Sequence, residues 1–437
     1  MKASQFFKGL SWLLLLNLLV KPVWIFGIDR QLQNEIGFEE YGSYFSILSL
    51  SVVLLFIADA GLTNMLNRQL AVQQQSSVGQ LVGYKCILSL VYLSVLFFIG
   101  WLTHIRRWEI IMLVGGIQVL TSMLVFFRNI ITGHQLFATD AWLSIVDKGL
   151  MIVLCGFYLY APFSTGLTLL QFLYFQLGST AMALVVAVLL ISRKVLPAKD
   201  KHRVSEIFRM TLPFTLLVLL MAVHSRLDAF LLERIHPNGA YEAGVYAAAY
   251  RVLDAGNMLG YLAASFLVPF AARHLKDGEL LQTTVLGLRH GLLLIATVTV
   301  AIVSVFAKPI IELFYYAPDH YTAKVLAYCI AALPAYYLIH IYGSLLTAKG
   351  LFRQFITIML LGVVLNVLLN VLLIPDYGAW GCCIAALISQ YSCGILCTVA
   401  ASRSLLVPYH WRSLAGYVLA GGAVFFVCYF LSHYHIP

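Results

Sequence analysis

Long apolar runs alternate with short polar breaks along the whole chain, and the runs are continuous rather than alternating residue by residue as half-buried strands do. Thirteen runs are about as long as a bilayer crossing, with approximate limits 10–28, 42–66, 81–103, 109–131, 142–161, 168–191, 211–233, 243–270, 286–307, 324–348, 355–375, 379–401 and 412–432. In hydrocarbon every backbone N–H and C=O needs an internal partner, so continuous runs of this length predict transmembrane helices. A barrel would show alternation instead. All seven tryptophans (Trp12, Trp24, Trp101, Trp108, Trp142, Trp380, Trp411) fall near the ends of these runs, where headgroup-level aromatics collect. Lys2 and Lys8 precede the first run as in a signal peptide, but Lys21-Pro22 interrupts it and no A-x-A site follows. It reads as a retained first helix.

Composition sharpens this picture. Of 437 residues, 61% are hydrophobic and only 11% charged, less than half the roughly 25% charge of a soluble domain. Mean hydropathy is +0.88. The formal charge of +9 does not mark a nucleic-acid partner, because the basic residues lie in short loops rather than on a soluble face. With the N-terminus cytoplasmic, roughly eighteen of the 28 Lys and Arg fall on the inner side. The largest inner loop carries Arg193, Lys194, Lys199, Lys201, Arg203 and Arg209, whereas Asp29, Glu35, Glu39 and Glu40 follow the first run on the outside. Arg106 and Arg107 are outer exceptions that this rule does not explain. The eight cysteines sit mostly inside apolar runs without a CxxC pair, which fits small buried hydrophobes and no metal site.

The basic loop divides the first twelve runs six and six. The expected organisation is an all-α polytopic membrane protein with an N-terminal six-helix lobe (1–191), a cytoplasmic basic linker (192–209), a C-terminal six-helix lobe (210–401) and an extra C-terminal segment (402–437). An even number of crossings per lobe gives both the same orientation, hence parallel repeats about the membrane normal. One echo agrees: Glu40-x-Gly42-x-Tyr44 enters the second run, and Glu242-x-Gly244-x-Tyr246 the eighth.

Charges inside the runs cost at least ~2.5–3.5 kcal/mol each at mid-membrane, so each needs a reason. Lys21, Arg226 and Arg251 all lie about 10–12 Å below the outer surface by helix rise. A positive ring contributed by both lobes would suit a phosphate or diphosphate headgroup. Pro22 should kink the first helix beside Lys21. The acids Asp59, Asp147, Asp228 and Asp254, with Lys148, are candidates for ion coupling or for charge pairs. Arg226 with Asp228, and Arg251 with Asp254, could neutralise each other along one helix. Asp59 could instead cap the second run. Asn17, Asn366 and Asn370 fit interhelical hydrogen bonding, and Tyr246, Tyr250 and Tyr261 could stack on sugar rings. No Walker loop, H-E-x-x-H or nucleophile elbow is present, so neither an enzyme nor a cofactor is expected.

Three stretches carry a family likeness: Tyr41-Gly42-x-Tyr44 through Asp59-Ala60-Gly61-Leu62 to Asn67-Arg68-Gln69-Leu70-Ala71; Gly244-Val245-Tyr246-Ala247-Ala248-Ala249-Tyr250-Arg251; and Asn370 through Pro375-Asp376-Tyr377-Gly378-Ala379-Trp380-Gly381. Through them the chain resembles the polysaccharide or O-antigen flippase family of the multidrug/oligosaccharidyl-lipid/polysaccharide exporter superfamily. The resemblance implies two six-helix lobes around a central cavity and alternating access in the bacterial inner membrane. The implied cargo is an undecaprenyl-diphosphate-linked oligosaccharide for lipopolysaccharide or other surface glycan. Sodium or proton coupling, membrane lipids and glycan assembly proteins are the implied partners. Lipid II flippases of the same superfamily also have extra C-terminal helices, so their cargo stays open. Two rivals remain. A cation-coupled multidrug antiporter of the superfamily would favour an acidic cavity. A membrane-embedded glycan polymerase or ligase needs a sizeable outer loop, and the largest here is about sixteen residues, Lys308 to Ala323.

Overall fold

The computed structural model describes residues 19–63, 66, 78–133, 136–160, 166–192, 204–316, 319–405 and 411–434. Asn17, the stretch 67–71 and the linker cations Arg193 to Arg203 therefore lie outside the described residues. What is described is helical. In chain order the helices are α1 (Leu19–Asp59), α2 (Val78–Leu102), α3 (Trp108–Gly133), α4 (Phe137–Tyr160), α5 (Leu169–Ser192), α6 (Val204–Ile235), α7 (Gly239–Arg273) and α8 (Gly278–Val305). They are followed by α9 (Ala307–Phe314), α10 (His320–Ile330), α11 (Leu333–Ala348), α12 (Phe352–Leu405) and α13 (Trp411–Tyr434). Among the described residues ten helical stretches are long and apolar enough to cross a membrane. The protein is a multi-pass membrane protein.

Two of those stretches, α1 and α12, each hold two of the thirteen expected runs, and α13, whose described apolar stretch Leu419–Phe430 is shorter, accounts for the remaining one. The 54 residues of α12 would extend about 80 Å if straight, more than twice a hydrocarbon core. The chain turns back at Gly378 (φ 53, ψ −132), after Pro375. Asn366 donates to Ser389 Oγ at 3.4 Å across the bend, so two expected runs meet at a hairpin without a loop. In α1 the break comes at Gly37 (φ 84, ψ 168), again a backbone region open to glycine and strained for other residues. The expected kink after Pro22 takes the form of a π-helical segment, Val23–Asp29. A carbonyl inside that segment, Gly27 O, is met by the Tyr160 hydroxyl at 2.7 Å. Ahead of α10, Asp319 caps the helix by accepting from Thr322 N at 2.8 Å.

Two compact units divide the chain: Met1–Gly37 with Ile47–Ala222, and Phe38–Ser46 with Val223–Pro437. In the first unit, Leu62, Leu81, Phe126, Ile130, Leu143 and Ala187 bury together where α1 and α3 finish and α2 and α4 begin. In the second, α11 is the central helix, with every residue from Leu333 to Leu346 buried, as expected for a helix apolar on all sides. The extra helix α13 lies along α8, where Gly421 faces Thr297 and Tyr417 bonds His290.

The second unit includes nine residues from near the start of the chain. Segment 38–46 crosses the first two turns of α7 at glycine-only distance. A Cβ on Gly42 would overlap Ala240 O and fall 2.5 Å from Gly244 N; one on Gly244 would overlap Phe38 O and fall 2.7 Å from Phe38 C. The contact is reciprocal: each glycine meets the residue four positions before the other. These are the two echoed motifs, which meet face to face.

Candidate functional site

The mid-span charges of the second unit that the sequence singled out sit on α6 and α7. Arg226 reaches across to Asp254, 3.4 Å from both carboxylate oxygens. Its guanidinium lies over the Tyr250 ring at 4.8 Å. Side-chain exposure is 27% for Arg226 and 35% for Asp254. A part-exposed charge pair of this kind suits a face open to water rather than to lipid.

Arg251 is buried one helical step away. It donates to the Tyr315 hydroxyl and lies over the Tyr41 ring at 5.0 Å. Tyr41 stacks with Phe45, which contacts Tyr250. The two arginines are thus joined by a continuous run of aromatic rings, and cation–π contact orients each guanidinium.

Asp228 has no counter-cation among the described residues. It is buried and accepts from Asn370 Nδ2 at 2.7 Å and from the Tyr246 hydroxyl at 3.1 Å. The network continues through Asn366 to Ser389 Oγ and on to His224 Nε2 at 3.0 Å. Asn370 Oδ1 and His224 Nδ1 are buried without a hydrogen-bond partner among the described residues. A carboxylate beside an unused amide oxygen is a donor set for a proton or a hard monovalent cation. Asn366 and Asn370 are interhelical bonders, as their place in the runs suggested.

The helix-local pairing alternative is corrected by this geometry. Arg226 and Asp228 are two residues apart and point to different sides of α6, so Arg226 pairs across helices with Asp254. Arg251, three residues before Asp254, is drawn instead to Tyr41 and Tyr315.

In the first unit, Asp59 does more than cap a helix: it holds Lys85 at 2.7 Å, with Lys85 fully buried and Asp59 29% exposed. Asp147 and Lys148 are 3.6 Å apart and half-buried. Lys148 lies 4.8 Å over Trp24, which stacks on Phe172 at 5.7 Å. Lys21 is exposed, directly before the π-helical segment. Of the three tyrosines proposed for sugar stacking, Tyr246 and Tyr250 are buried and committed to Asp228 and Arg226. Tyr261 is half exposed and packs at a tilt against His340, ring centroids 4.6 Å apart.

Among the buried ionisable groups that sequence reasoning missed are Lys85, Arg289 and Glu242. Lys85 is fully buried, and so is Arg289, beside Tyr342. Glu242 accepts at one oxygen from Ala379 N and the Tyr321 hydroxyl, both at 2.7 Å, and so caps the half of α12 that follows the Gly378 bend. Helix rise could have found the two cations: Lys85 lies about 10 Å inside α2 and Arg289 about 16 Å inside α8. Placing those runs at 81 and 286, a few residues late, put both cations near the expected interface.

Comparison with known proteins adds the family. The model of the family described as polysaccharide biosynthesis protein matches residues 6–274. No curated protein matches the chain. Among solved structures, an inward-facing multidrug resistance MATE family transporter of the MOP superfamily aligns at TM-score 0.69 and 15% identity, over 88% of this chain and 94% of its own. The lipid II flippase MurJ in an inward closed conformation aligns at 0.65 and 12%, over 97% of each chain. A MOP superfamily transporter from Pyrococcus furiosus, described as having a binding pocket of reversed polarity, aligns at 0.61 and 16%, over 92% and 94%. At these identities the likeness is one of fold.

Proposed function

Because the chain belongs to the polysaccharide biosynthesis protein family, we propose that it is a flippase for an undecaprenyl-diphosphate-linked oligosaccharide. It carries the headgroup from the cytoplasmic to the outer face of a bacterial inner membrane by alternating access, while the lipid tail stays in the bilayer. The observation that carries this reading is the cationic, aromatic-backed face of the second unit: part-exposed Arg226 over Tyr250, and buried Arg251 over Tyr41. A guanidinium gives a diphosphate two parallel N–H donors, and the ring behind it fixes its plane. Lys21 of the first unit is assigned the same anion-binding role. The lipid II flippase among the solved structures binds a related class of cargo and has the same fold.

Transport without an ATP site draws on a gradient, and Asp228 is the proposed coupling group. Its buried carboxylate, free of a cationic partner among the described residues, takes a proton or sodium ion in one half of the cycle. Asp59, Asp147, Lys148 and Asp254 are held in charge pairs, which makes them weaker candidates for this role. Asp228 also favours a second reading, a cation-coupled multidrug antiporter.

Expressing Lys21→Ala, Arg226→Ala and Arg251→Ala at wild-type levels in a strain lacking the gene separates the two. Loss of surface glycan with lipid-linked precursor building up inside supports the flippase. Normal surface glycan in all three, with altered drug tolerance, supports the antiporter.

A further inference from the structure

Among the described residues Arg226 meets the Tyr250 ring and the Asp254 carboxylate, and Asp254 meets Arg226. The ring contact holds the guanidinium in place whatever its charge partner, whereas the carboxylate contact is loose. At 3.4 Å to each oxygen it is well beyond the 2.7–2.9 Å of a tight charge-assisted bond. The pair is also part-exposed, with Asp254 the more open of the two. Nearby anionic chemistry does not compete for Arg226, since Asp228 is turned to Asn370 and Tyr246.

From this we propose that Asp254 is a resident competing anion: it occupies the substrate's place on Arg226 in the empty carrier and takes it back to expel the cargo. This inference rests on the reading of Arg226 as a diphosphate contact. A diphosphate carries at least two negative charges and can bond the guanidinium in a bidentate manner, so it displaces a single loosely held carboxylate. Once displaced, Asp254 stands beside the bound anion and repels it. Asp254 therefore lowers affinity and speeds release, and a carrier without it should hold its cargo too long.

The probe is farnesyl diphosphate, with farnesol as the control of equal tail and no charge, titrated into the purified full-length protein in detergent. Asp254→Asn is nearly isosteric. It should bind farnesyl diphosphate about tenfold more tightly, close to 1.4 kcal/mol, leave farnesol unchanged and slow the appearance of surface glycan in cells. Tighter binding with slower transport is a combination that loss of fold does not produce. In an Arg226→Ala background the gain should vanish. Asp254→Asn binding no tighter, while Arg226→Ala still loses the probe, overturns the competing-anion role and leaves the substrate reading standing. A gain that persists without Arg226 also overturns it, because Asp254 then acts through another group. Failure of the wild-type protein to prefer farnesyl diphosphate over farnesol overturns both.

Discussion

Replacing Gly244 by alanine tests the crossing of segment 38–46 over α7 with a single carbon atom. The new Cβ would overlap Phe38 O and lie 2.7 Å from Phe38 C. Ordinary contact begins near 3.4 Å, and Phe38 O lies closer still than Phe38 C, so the two backbones must part by more than about 1 Å. Both sides of the clash are main chain, so no rotamer change can relieve it. A gap of 0.5–1 Å forfeits a quarter to a half of each dispersion well along the seam. Overpacking of this kind costs about 1–3 kcal/mol, and rigid backbone on both sides places this case at the upper end. Gly42→Ala meets Ala240 O and Gly244 N in the same way and should cost as much. Thermal unfolding in detergent can be followed with a thiol-reactive fluorophore, since Cys155, Cys329, Cys382, Cys383, Cys393 and Cys397 are buried until the fold opens. Gly287→Ala and Gly291→Ala on α8 are the controls: nothing lies within 4 Å of a Cβ there, and helix propensity favours alanine by about 0.5–1 kcal/mol. Midpoints for Gly42→Ala and Gly244→Ala equal to those of the α8 controls would refute the close crossing.

Three further outcomes follow from the buried charges. Glu242→Ala leaves Ala379 N and the Tyr321 hydroxyl short of an acceptor and should cost about 1–3 kcal/mol, while Glu242→Gln, which keeps an oxygen, should cost less than half of that; the same unfolding assay decides. Lys85→Met strands Asp59 and should lower the midpoint, and adding Asp59→Asn should recover most of the loss, a coupling read from the double-mutant cycle. Asp228→Asn should fold, since its partners Asn370 and Tyr246 remain, yet abolish the response of transport to sodium or to pH; wild-type glycan export by this variant removes Asp228 from coupling.

The helices were legible because hydrocarbon leaves the backbone one economical way to satisfy its hydrogen bonds. Two connections were not. Between the first two runs and between the eleventh and twelfth, periodicity predicts separate helices joined by polar turns, whereas the chain bends at single glycines, Gly37 and Gly378. Hydropathy averages over a window and cannot register a change in one residue's φ. Depth counting found Arg226, Arg251 and Asp228 but could not say which carboxylate meets which cation. That choice is set by the rotation of α6 and α7 about their axes, which no local pattern encodes. Lys85 escaped notice because its aliphatic stem and its salt bridge let it sit inside an apolar run, near an edge where a snorkelling lysine would look the same.

The echo between the two halves explains why the charges gather where they do. Gly37, Glu40, Gly42 and Tyr44 recur at one constant spacing as Gly239, Glu242, Gly244 and Tyr246. The paired copies touch each other reciprocally, Gly42 against Ala240 and Gly244 against Phe38. Reciprocity of this kind is what a two-fold relation between like surfaces produces. Once the backbones are that close, the side chains flanking each glycine are pressed together as well. Phe38 lies against Tyr241 and Tyr315, and Phe45 against Tyr250. Tyr315 and Tyr250 are rings on which Arg251 and Arg226 rest. A glycine crossing thus builds the aromatic backing, and the backing holds two guanidinium groups within one unit of the fold. Widening the crossing should therefore disturb anion binding before it unfolds the protein. Gly244→Ala should weaken farnesyl diphosphate binding at temperatures well below its own unfolding midpoint; unaltered binding there would separate the crossing from the site.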